Sequence, residues 1–68
     1  MEKRYKAHYM IAPQFMGKMR KVFDFFHLEW KQDEWVEGEM SGYVYGDKEN
    51  VEEFLMTAFQ SKDLAVPA

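Results

Sequence analysis

The stretch RYKAHYMIAPQFMGKMRKVFDFF, residues 4–26, changes its hydrophobic period halfway. Up to Ile11 it alternates, with Tyr5, Ala7, Tyr9 and Ile11 on one side and Lys6, His8 and Met10 on the other. A period of two belongs to a strand with one buried face. Ala12-Pro13 ends it, and proline suits the first turn of a helix, where its missing N–H costs nothing. From Gln14 on, Phe15, Met19, Val22, Phe23 and Phe26 follow helical spacing, with Met16 and Phe25 widening the stripe. Lys18, Arg20, Lys21 and Asp24 make the wet side. Gly17 weakens the first turn by about 1 kcal/mol relative to Ala. A strand running straight into an amphipathic helix sets an α+β reading. The helix has two candidate ends. Trp30 lies four residues past Phe26, so the helix can run to Gln32, or it can stop near His27 and leave Leu28–Gln32 as a strand.

Downstream, residues 35–46, WVEGEMSGYVYG, read as strand or hairpin. Val36, Gly38, Met40, Gly42 and Val44 share one parity; Trp35, Glu37, Glu39, Ser41, Tyr43 and Tyr45 share the other. Two turns fit: Asp33-Glu34, followed by a long strand 35–45, or Ser41-Gly42, between strands 35–40 and 43–46. Asp47 then reads as an N-cap whose carboxylate accepts orphan backbone N–H groups. Val51, Phe54, Leu55, Ala58 and Phe59 form the stripe of a second helix, and Glu49, Glu52 and Glu53 lie near its positive end. The tail DLAVPA reads as frayed or as the stub of a final strand. The order β-α-β-β-α predicts an α+β two-layer sandwich, an antiparallel sheet with two helices on one face, of a truncated ferredoxin-like kind. Its expected core is Tyr9, Ile11, Met19, Val22, Phe26, Met40, Val44, Val51, Phe54, Leu55 and Phe59.

With 68 residues the chain reads as one small domain, 1–68. Hydrophobic residues make up 47% and aromatics 18%, too many for a disordered chain. The absence of Cys excludes a disulfide scaffold and a Cys-based zinc site. No apolar run reaches the roughly 20 residues of a membrane span, and the charged start MEKRYKAHYM is no secretory signal, so a cytoplasmic location without membrane contact is expected. The formal net charge is −3. Residues 1–21 hold six cations and one acid, a net +5; residues 22–68 hold eleven acids and three lysines, a net −8. Such asymmetry fits a solvated surface whose halves attract each other in the fold, or an acidic face that binds a basic partner surface.

The segment from Leu28 to Phe59 resembles the acylphosphatase-like version of the ferredoxin-like fold. That family shows G-W-V-x-N, a glycine-punctuated strand and V-x-x-F-L in its second helix. Here Glu29-Trp30-Lys31-Gln32, then Gly38 to Asp47, then Val51-Glu52-Glu53-Phe54-Leu55 stand in those places. The resemblance implies the topology. Its phosphate cradle, G-x-V-Q-G-V-x-F-R, is replaced by Met10 to Lys18, where Pro13 has no N–H and no arginine precedes Arg20. The catalytic loop of the family is therefore missing.

No catalytic, cofactor or metal residues are assigned. His8 and His27 lack the converging ligands a metal needs, Ser41 and Ser61 lack a nucleophile elbow, and Glu37 with Glu39 read as a strand face. If Val36, Met40 and Val44 face the helices, Trp35, Glu37, Glu39, Tyr43 and Tyr45 face outward, an aromatic cluster in an acidic rim suited to a protein partner. Without a fourth strand, Arg4–Ile11 would be a free edge at which Lys6, His8 and Met10 self-associate, giving a homodimer. The favoured reading is a noncatalytic acidic interaction protein that binds and modulates a larger protein. In size and charge it is similar to phage and mobile-element inhibitors such as anti-CRISPR proteins. The alternatives are an acylphosphatase-like phosphate-handling enzyme and a nucleic-acid-binding module using Lys18, Arg20 and Lys21. The acidic rim disfavours nucleic acid, and no cofactor is expected.

Overall fold

The computed structural model describes the backbone of residues 4–36 and 38–68, and their side chains except those of 34–36. It runs β1 (Arg4–Ile11), a 3-10 turn (Pro13–Phe15), α1 (Met16–Phe25), β2 (Glu29–Val36), β3 (Glu39–Asp47), α2 (Lys48–Phe59) and β4 (Val66–Pro67). The strands form one antiparallel sheet in the order β2-β3-β1-β4. Both helices cover one face, as expected of a small ferredoxin-like sandwich.

The period change of residues 4–26 appears as β1 followed by α1. Of the two expected helix ends, the shorter is adopted. His27 turns left-handed with φ 58°, its N–H bonds the Asp24 carbonyl at 3.1 Å, and the Leu28 N–H bonds the Phe23 carbonyl at 2.8 Å. That is a Schellman closure, and Leu28 and Phe23, the residues it brings together, both belong to the buried core. It frees Glu29 and Trp30 to start a strand.

Neither expected hairpin turn is used. β2 continues through Asp33-Glu34, where the register against β3 slips by one residue in a bulge, and Ser41-Gly42 lies inside β3. The turn falls at Gly38, whose φ of 83° suits glycine. Gly42 has a different task. A Cβ there would strike the β2 backbone and sit 2.9 Å from the Trp30 ring, so glycine lets the indole cross the strand. Asp47 does precede α2, but its side chain makes no capping hydrogen bond. The glutamates of the first turns remain the stabilising charges there.

The tail is a strand stub. Val66 and Pro67 pair with Lys6 and Tyr5, and the Ala68 N–H bonds the Arg4 carbonyl at 3.0 Å. β1 is thus an inner strand along its first half, which corrects its reading as a full edge. Alternation along β1 puts the edge-facing amides of His8 and Met10 beyond the end of β4.

The core joins Ala7, Ile11, Met16, Phe23, Leu28, Val44, Val51, Phe54 and Leu55, with Tyr9, Met19, Val22, Phe26, Trp30 and Met40 half-buried around it. Phe54 sits at its centre, with the rings of Tyr9, Phe23 and Phe26 5.3–5.9 Å away. Phe59, expected inside, is 47% exposed because α2 ends there and only its Tyr9-facing side is covered. Phe15 and Phe25, read as part of the first stripe, are also exposed.

Candidate functional site

Two surfaces have the chemistry of a binding site. The first is the helix-free face of the sheet. The register sets Glu29, Tyr45 and Lys6 in one cross-strand row and Lys31, Tyr43 and His8 in the next. The other parity, with Ala7 and Val44, is buried under the helices. Tyr43 and Tyr45 therefore point outward, with ring centroids 6.2 Å apart. His8 meets the edge of Tyr43 at 5.4 Å, the Lys6 ammonium stands 4.8 Å over Tyr43, and the Lys31 ammonium 5.3 Å over Tyr45. These are cation–π distances.

The groups over the tyrosines are thus lysines, where an acidic rim was expected. Among the expected partner residues, Glu39 is exposed near the hairpin end; the Trp35 side chain and Glu37 lie outside the described residues. The acids on this face sit toward its ends, and Arg4 reaches Glu29 at 3.6 Å. Of the residues expected at the self-association edge, Lys6 has its backbone taken by Val66, so only His8 and Met10 keep edge-facing amides open.

His8 Nε2 and Ser41 Oγ lie 2.7 Å apart. The pair has the composition of a base and a nucleophile, but Ser41 is 3% exposed, and no hydrogen bond from a third side chain orients His8 among the described residues. A buried hydroxyl cannot reach a substrate, so the contact is structural: it satisfies Ser41 and fixes the ring that abuts Tyr43.

The second surface lies on the helix layer. A cleft of about 450 Å³ is lined by Phe26, Glu49, Glu52, Glu53, Met56 and Lys62. Beside it Phe25, 77% exposed, rests edge-on against Phe26 at 5.1 Å. Apolar groups beside carboxylates, the pattern expected around Tyr43 and Tyr45, also occur here. The signal for it was present in the sequence: Phe25 is one residue off the first stripe, and Met56 one residue past Leu55.

The loop after β1 does not form an anion cradle. The Phe15 N–H is taken by the Ala12 carbonyl at 2.9 Å, Pro13 has none, and Arg20 lies on exposed α1 surface. Among the described residues no group of three or more His, Asp or Glu could hold a metal ion. No helix described is long and apolar enough to cross a membrane. Comparison of the chain with protein-family models, with curated proteins and with solved structures finds no match in any of the three.

Proposed function

We propose that the protein is a noncatalytic interaction protein that binds a larger protein through a basic, amphipathic segment of that partner and modulates it by inhibition. The observation that carries this reading is the helix-layer cleft. Phe25, Phe26 and Met56 offer apolar contact, and on the rim the three carboxylates of Glu49, Glu52 and Glu53 outweigh the single cation, Lys62. Few large side chains carry most of the energy of such an interface, and a rim with an excess of acids steers a basic partner. Size and acidity keep the comparison with phage and mobile-element inhibitors. A second copy of the chain is a further partner, pairing along the open part of β1 at His8 and Met10.

A synthetic amphipathic peptide of alternating lysine and leucine blocks tests the cleft by calorimetry. Binding should weaken as salt rises, and should be lost in Phe25→Ser and in the Glu52→Lys/Glu53→Lys pair. Binding indifferent to both changes would overturn the reading.

A further inference from the structure

We propose that the open sheet face binds single-stranded nucleic acid, two successive bases stacking on Tyr43 and Tyr45 while Lys6 and Lys31 hold the phosphates beside them. This site is independent of the helix-layer cleft. Three observations carry it. First, the two rings are on alternate residues of β3, an inner strand, so both project from the middle of the sheet face that the two helices leave open. Aromatic rings so placed accept bases of any kind, because every base has a π-face. Second, each ring has an ammonium within 4.8–5.3 Å, on long flexible stems that rise from the flanking strands. A base can lie on the ring when the stem moves aside, and the ammonium then meets the phosphate attached to that base. Third, His8 is tied to Ser41 and abuts Tyr43, which holds that ring against rotation.

The charge of the whole chain, −3, opposes a polyanion. The fold reduces that opposition by distance. Glu49, Glu52, Glu53 and Asp24 belong to the helix layer on the far side of the sheet. On the face itself Arg4 engages Glu29, and Glu39 lies at the hairpin end, four residues along β3 from Tyr43. Only two phosphates are neutralised, so binding is weak, insensitive to sequence and confined to low salt. A duplex does not fit, because its bases are already stacked on one another.

The test is fluorescence anisotropy with labelled ten-nucleotide oligo(dT) and oligo(U), and a ten-base-pair duplex, at low salt. Both single strands should bind and the duplex should not. The plot of log affinity against log salt should have a slope near −1.4, about −0.7 for each of two phosphates. Tyr45→Leu and Tyr43→Leu should each cost about fivefold or more, and Tyr→Phe at either site should restore binding. Lys6→Gln should reduce the slope by about half. A far-ultraviolet melt checks that each variant is folded. Amide resonances that shift on titration should map to the middle of β1 and β3, a readout that needs no variant. Absence of binding by both single strands, equal binding of the duplex, or shifts confined to α1 would overturn the proposal, the last leaving the basic helix face of Lys18, Arg20 and Lys21 as the site.

Discussion

His27 holds a left-handed backbone that residues other than glycine and asparagine seldom adopt, and it does so to close α1. Replacing it by glycine removes the Cβ conflict, offset in part by the added freedom of the unfolded chain. His27→Gly should therefore stabilise the protein by about 0.5–1 kcal/mol, seen as a melting point a few degrees higher. A lower melting point would mean that the imidazole has a role of its own. Tyr9 gives a second prediction at this scale. Its ring is packed against Phe23, Phe54 and Phe59, and burial raises its phenol above the ordinary value of 10.0. The folded form then resists ionisation that the unfolded chain accepts. Its contribution to stability is complete below pH 10 and is lost as the pH climbs through the folded value. Alkaline melts of wild type should fall more steeply above pH 10 than those of Tyr9→Phe. Parallel curves would contradict it.

At the scale of elements, the outcome turns on which strand edges are occupied. β4 is two residues long, yet it takes the edge amides of β1 as far as Lys6 and leaves His8 and Met10 open. A proline at position 8 removes an edge-facing N–H and spares the β3 ladder. If a second copy pairs there, light scattering should show association that grows with concentration in wild type and disappears in His8→Pro. The strands and helices themselves were legible in the sequence, because periods of two and near four are written in the side chains. The ends of β2 and β3 were not. Asp33-Glu34 and Ser41-Gly42 look like turns by composition, but local chemistry does not record a bulge or an indole crossing a glycine. Those depend on where Trp30 goes once α1 has closed. The same gap explains the binding faces. Tyr43 and Tyr45 were correctly read as outward, while the charges above them belong to neighbouring strands and appear only when the register is known.

For the molecule as a whole, Phe54 is the point where both helices and the sheet meet. Its truncation to alanine should cost about 3–5 kcal/mol. A chain of this size has on the order of 5 kcal/mol in total, so Phe54→Ala should be largely unfolded at room temperature by circular dichroism. A melt close to wild type would place the centre of the core elsewhere. The pairing of β4 with the start of β1 carries a mechanical consequence. Arg4 and Ala68 are bonded neighbours on antiparallel strands, so tension applied between them loads the β4 bonds one after another, as a zipper is loaded. The stub should peel away at low force. The pull then reaches Arg4 at the end of the longer β1–β3 ladder, which is again unzipped from one end rather than sheared. In an optical trap this protein should extend softly, in spite of its densely aromatic interior.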